Sequence, residues 1–244
     1  MALECAKEAA GEIRYDMEAA FSQGLANTPM ANAGIRVVSG NFTLARPVGI
    51  VDGVDFAYSG LVRKVDAASI RHALDNQQIV LLSNIGYSAT GEAFNLAMED
   101  VAAITAMALN ADKLVFLAEV PGVRGEDGRI QTEISEAQAR AVLAQPDLEL
   151  PLRIYLTAAL KACEGGVARS HVVPFAVDGS VLLEFFLHDG VGTMVVRETL
   201  EAVREATIED VSGILALIQP LEADGTLVKR DRALIEAEIG NFTV

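Results

Sequence analysis

The sequence predicts an α/β fold, a mainly parallel sheet with helices on both of its faces. Two observations carry this. Short apolar runs, Ile79 to Ser83 and Lys113 to Leu117, alternate with stretches whose apolar residues recur at three- and four-residue steps. Between those runs, SNIGYSATGEAFNLAMEDVAAITAMALNAD reads as a small-residue polar loop, an acidic helix start and an alanine-rich helix, the order of a βαβ crossover. A polar loop over strand ends is where open α/β sheets bind ligands.

Each element follows from local pattern. Leu3, Ala6, Ala10, Ile13, Met17 and Phe21 lie on one helical stripe, so residues 3–24 read as an amphipathic helix ending at Gly24. Ile35 to Val38 is a strand, and Thr43 to Val51 a strand or hairpin interrupted by Pro47. Val65 to Leu74 is a helix with Asp66 as its N-cap. Ile79 to Ser83 is a parallel strand buried on both faces. A helix covers Glu99 to Leu109 and a strand Lys113 to Leu117; residues 122–132 are a turn-rich loop. Ser135 caps a helix through Leu143, residues 145–151 are a loop, and Ile154 to Glu164 is a helix ended by Gly165-Gly166. Val172-Val173 begins a strand, Val181 to Phe186 is a short helix, and Gly192 to Val196 closes the sheet. Composition shifts near Thr199. A strand at Val203 to Ala206 then precedes a helix capped by Thr207, with Asp210 at its N3 position, running to about Leu221. A second helix spans about Asp231 to Ile239, and Phe242-Thr243-Val244 starts a strand.

The 244 residues, 51% of them hydrophobic, are enough to bury a sizeable core, and with no Trp that core must be built from Ala, Val, Leu and Ile. The net charge of −15 repels phosphate backbones and anionic lipid, which argues against nucleic-acid and membrane partners. Cys5 and Cys163 are too few for a disulfide scaffold and have no metal-ligand spacing, so they read as inert packing thiols. The charged N-terminus is no signal peptide, and no metal site is expected. The cytoplasm is the expected compartment.

The run of polar loop, Phe94-Asn95-Leu96, Glu99-Asp100 and Lys113-Leu114-Val115-Phe116-Leu117 resembles the amino-acid kinase fold. In acetylglutamate kinases, Asn-x-x-Ala-Asp precedes the alanine-rich helix and the Asp is catalytic. Here Asn95-Leu96-Ala97-Met98-Glu99 occupies that place, with a carboxylate one methylene further out, a shift that can misplace a catalytic contact. Glu99 and Asp100 equally well complement the helix dipole. The resemblance puts Tyr155 where those kinases carry a lysine, and a phenol cannot offset the charge of a transferred phosphoryl group. Ala118-Glu119 replaces the Thr-Asp pair of the nucleotide side, and Lys113 reads as a solvated charge at a strand start. Asn95, Glu99, Lys113 and Tyr155 are therefore expected to form a degenerate kinase-type site.

A further constellation, His171-Val172-Val173 followed by Glu184-Phe185-Phe186-Leu187-His188-Asp189-Gly190-Val191-Gly192-Thr193, resembles the effector signature of arginine-sensitive kinases and of the bacterial N-acetylglutamate synthase family. The resemblance implies that His171, Glu184, Gly190 and Gly192 bind L-arginine. Glu184 would pair with the guanidinium, and the glycines would let backbone approach the ligand. The Arg that family members carry between the His and the Glu is missing from Pro174 to Ser180.

The resemblance implies two domains. Residues 1–198 match an amino-acid kinase-like, arginine-sensing domain without its first strand. Residues 199–244 match the opening β-α-α elements of a GNAT acetyltransferase domain, with the acetyl-CoA motif absent from the chain. The function implied is amino-acid N-acetyltransfer from acetyl-CoA to L-glutamate, the first step of arginine biosynthesis, under allosteric control by arginine. Acetyl-CoA is the co-substrate of the full-length family, no cofactor is expected in this chain, and the chain alone is expected to be inactive. Homo-oligomers are implied, and residues 3–24 either contribute to such a contact or pack on the sheet. The alternatives are an acetylglutamate kinase and a non-catalytic arginine-binding or assembly module.

Overall fold

A computed structural model describes residues 2–125, 127–186, 190–197, 206–208, 211–223, 225 and 232–242. The chain divides into two compact units, residues 1–198 and 199–244.

The first unit begins with α1 (Ala2–Phe21), of which only Leu3 is fully buried. Strands β1 (Arg36–Val38) and β2 (Thr43–Pro47) follow, then the hairpin β3 (Ile50–Val51) and β4 (Val54–Asp55), and β5 (Gly60–Val65). Helix α2 (Ala67–Asp75) starts at Asp66, whose carboxylate accepts from the Ser69 N–H at 3.1 Å, as the capping pattern predicts. Strand β6 (Gln78–Val80) pairs in parallel with β1. It is half-buried rather than buried on both faces, because among the described residues β1 is its one strand neighbour.

The segment expected as a polar loop over the strand ends is instead a β-hairpin. Strands β7 (Ile85–Tyr87) and β8 (Ala93–Asn95) run antiparallel, and their turn closes through the Ser88 N–H to Glu92 O bond at 2.8 Å. With β2 and β5 they form a four-stranded sheet in the order β5-β2-β7-β8.

Helix α3 (Met98–Leu109) leads into β9 (Lys113–Ala118), the edge of the second four-stranded sheet, β10-β12-β11-β9. Its other strands are β10 (Glu133–Ser135), β11 (Arg169–Pro174) and β12 (Thr193–Val196). β9 and β11 are parallel, as are β10 and β12, while β11 and β12 are antiparallel. Helix α4 (Glu136–Leu143) carries a full capping box between Ser135 and Gln138. Helix α5 (Leu150–Glu164) starts four residues before the expected Ile154, since Pro151 in its first turn is pre-set for a helix. It presents Leu152, Leu156, Ala159 and Cys163 to the sheet. They join Ala103, Phe116, Val172 and Val195 in the main core, built of small aliphatic residues as the composition requires. Full burial of a leucine such as Leu156 contributes about 2–3 kcal/mol. Cys163 lies inside this core, whereas Cys5 is exposed, contrary to the packing role expected for that residue. Helix α6 (Ser180–Phe186) completes the elements around the second sheet.

In the second unit, α7 (Val211–Ala223) and α8 (Arg232–Ala237) share a small core of Val211, Ile214 and Ile235 with Ala206. The Ala206 N–H donates to Phe242 O at 2.9 Å. Most of the strand expected at 203–206, Asp210, and residues 243–244 lie outside the described residues. No helix among the described residues is long and apolar enough to cross a membrane.

Candidate effector site

His171 stands in β11, flanked by Val115 of β9 and Met194 of β12. A central position on a short sheet explains its burial. Glu184 comes from α6, and residues 190–192 are the approach to β12, so the spacing seen in the sequence closes into one cluster. His171 Nδ1 and Glu184 Oε1 are 2.7 Å apart, with side chains 5% and 4% exposed. Glu184 Oε2 accepts from the Val191 N–H at 2.9 Å and the Gly192 N–H at 3.1 Å.

Both glycines are required by this geometry. Gly190 has φ +54°, and a Cβ there would sit 2.6 Å from Glu184 Oε2. A Cβ on Gly192 would meet Val172 O at 2.2 Å, a clash with backbone that cannot swing aside. Leu187, His188 and Asp189 of the sequence signature lie outside the described residues.

Burial pushes the Glu184 carboxyl up, but the hydrogen bonds from His171, Val191 and Gly192 outweigh it and hold the carboxyl below its ordinary value. An ionised carboxylate only accepts, so His171 Nδ1 must carry the proton it shares. In the neutral ring, Nε2 is then a bare acceptor. It is buried and, among the described residues, has no hydrogen-bond partner. In that neutral form the ring offers one aromatic lone pair to an N–H donor.

Phe185 and Lys113 extend the cluster. The Phe185 ring centroid lies 5.9 Å from that of His171, and Lys113 Nζ lies 4.8 Å from the Phe185 centroid. Sequence reasoning grouped Lys113 with Asn95, Glu99 and Tyr155. The structure instead puts it at the start of β9, against α6, at the opposite end of the strand from Ala118-Glu119. Only the register that pairs Lys113 with Arg169 reveals this, and linear spacing does not carry it.

The kinase-type positions are differently built. Asn95 Oδ1 accepts from Asn84 Nδ2 at 2.7 Å, beside a cavity of about 540 Å³ between α1 and the ends of β1 and β6. Glu99 lies in the first turn of α3. The Tyr155 hydroxyl donates to Glu119 Oε2 at 2.9 Å. Burial, then that bond and the charges of Glu119 and Glu99, push the phenol above its ordinary value. Tyr155 and Glu99 are therefore within electrostatic reach of each other, with a phenol where phosphoryl transfer needs a cation. The nearby cation Lys161 is engaged by Asp100 at 2.7 Å. A second cavity of about 240 Å³, at residues 120–124 and 145–152, is lined by Asp147 and Glu149 as well as Arg124, and the Arg124 guanidinium already donates to Gly128 O. Two carboxylates disfavour a nucleotide triphosphate there.

Residues 3–174 match the amino acid kinase family. The chain is 61% identical over 243 residues to an amino-acid acetyltransferase of Ralstonia nicotianae, covering 100% of this chain and 54% of that protein. It is 48% identical over 242 residues to an amino-acid acetyltransferase of Pseudomonas fluorescens, covering 99% and 56%. Among solved structures it resembles N-acetylglutamate synthase from Neisseria gonorrhoeae complexed with coenzyme A and L-arginine, at TM-score 0.77 and 36% identity over 99% of this chain and 55% of that one. The same enzyme complexed with coenzyme A and N-acetyl-glutamate matches at TM-score 0.72. The chain spans about half the length of the curated relatives it matches.

Proposed function

The chain belongs to the amino acid kinase family, and on that premise we propose that it is the effector-binding part of an N-acetylglutamate synthase. The whole enzyme would transfer acetyl from acetyl-CoA to the amino group of L-glutamate. Residues 199–244 would be the opening of its acetyltransferase domain, and residues 1–198 its arginine sensor. The observation that carries this is the buried His171–Glu184 pair closed by the Gly190–Gly192 turn.

The geometry favours a cationic amino acid. Glu184 already accepts three bonds, so it does not act as a free bidentate clamp; its negative charge and one spare lone pair on Oε1 attract the guanidinium. His171 Nε2 would accept a guanidinium N–H, and the Lys113 ammonium beside Phe185 supplies a positive charge near the cluster for the effector's carboxylate. The kinase alternative is disfavoured by the Tyr155–Glu119 pair. Acetyl transfer is assigned to no residue here. Self-association through the kinase-like unit is part of the reading, and Ile13 and Tyr15 of α1 offer exposed apolar surface for it.

Calorimetric titration with L-arginine tests the proposal. Saturable binding is expected, lost in Glu184→Gln. A folded chain that takes up no arginine would remove the effector assignment.

A further inference from the structure

We propose that Thr193 is a positioning residue that latches the loop of residues 119–132 to the effector site. The proposal rests on the reading above only for the identity of the ligand.

Thr193 is fully buried, unusual for a hydroxyl, and is bonded to a distant segment rather than to its own strand. Its Oγ1 accepts the Val123 N–H at 2.8 Å. The contact has no slack, since a Cβ on Gly122, at φ +114°, would lie 2.5 Å from that same oxygen. The far end of the loop is tied to the next residue of β12, through the Met194 N–H to Thr132 O bond at 2.9 Å. Within the loop, the Gln131 N–H donates to Val123 O at 2.8 Å. Both feet of the loop therefore stand on the first two residues of β12.

The residue just before them, Gly192, gives its N–H to Glu184. A ligand that draws on the Glu184 carboxylate shifts the acceptor of the Val191 and Gly192 N–H groups, and Gly192 is the chain neighbour of Thr193. Thr193 then hands that shift to Val123 and to the cavity that Val120 to Arg124 help to line. The Thr193 hydroxyl is thus the side-chain link, beside the Met194–Thr132 backbone bond, between that loop and the strand that follows the effector turn. The chemistry requires an acceptor at this position. Serine supplies one, and valine does not.

Residue-resolved amide exchange on the folded chain tests the latch without any ligand. Thr193→Val is expected to speed exchange at Val123 about tenfold, the loss of one buried bond, whereas Thr193→Ser keeps the wild-type rate. Glu184→Gln is expected to speed Val123 about threefold and to leave Ser69, held by Asp66, unchanged. In the Thr193→Val background, Glu184→Gln should add nothing at Val123. A Val123 rate indifferent to Glu184→Gln in a folded chain overturns the latch. Added L-arginine separates the two ideas. Arginine that binds and slows Val123 in wild type but not in Thr193→Val supports the latch; arginine that binds and leaves Val123 unmoved overturns it. If arginine does not bind while the Glu184→Gln effect persists, the latch stands and the effector reading falls.

Discussion

The His171–Glu184 and Lys161–Asp100 pairs have the same 2.7 Å separation, yet they are physically different objects. The first is nearly sealed from solvent, and its carboxylate accepts from two backbone N–H groups as well as meeting the imidazole. The second sits at the surface, with side chains 45% and 40% exposed. Water competes for every bond of the exposed pair, and salt screens it. Water barely reaches the buried one, so it sets the position of α6 against β11 and of the turn into β12. The difference teaches that fixed side-chain geometry is held by the sealed pair and not by the exposed one. The kinase-type end of the sheet is polar surface by comparison.

The largest effect should come from breaking the sealed pair. Glu184→Ala strands a buried imidazole and two N–H groups, and is expected to cost roughly 3 kcal/mol in urea unfolding. The same pair gives a pH signature. The folded carboxyl titrates below its ordinary value, so the stability it adds is present above the unfolded glutamate range, about pH 4.3, and drains away as pH falls through the folded value. Wild-type stability should therefore drop more steeply below about pH 5 than that of Glu184→Gln, and the two slopes should agree at neutral pH. Parallel slopes throughout would show that Glu184 is not held ionised by its neighbours.

Gly192→Ala should come next. Its Cβ collides with backbone at Val172 O, and the turn must shift at a cost of about 2 kcal/mol, with Glu184 losing one donor. Thermal denaturation with an unaltered midpoint would mean the turn has room that the geometry denies. At the small end, Lys161→Met should change stability by less than about 0.5 kcal/mol, and 0.5 M salt should erase even that. A loss as large as that of Glu184→Ala would break the comparison outright.

What the sequence disclosed and what it hid follow one physical division. Asp66 and Ser135 were legible as caps because a cap is satisfied within three residues. The link between His171, Glu184 and the glycines was legible because one strand, one short helix and one turn join them directly. Strand β5 escaped notice because it is GLVRKV, whose charged residues point outward and whose strand character comes from pairing with β2. The β7–β8 hairpin was read as loop because its strands, IGY and AFN, are three residues each, too short to show alternation, and take extended form only against a partner. Lys113 was read correctly as a strand start, but its neighbour Phe185 was not legible, because parallel register, which no local pattern encodes, decides what a strand start faces.

The two thiols differ in a way that gives the folded state its own counter. Burial pushes the Cys163 thiol up, and the core closes over it beside Ser170 and the Val195 carbonyl, while Cys5 is open to solvent. A maleimide dye will therefore label the native chain once, at Cys5. Each second label records a moment when α5 has lifted from its sheet, so the mass of the labelled chain becomes a clock for opening of the core.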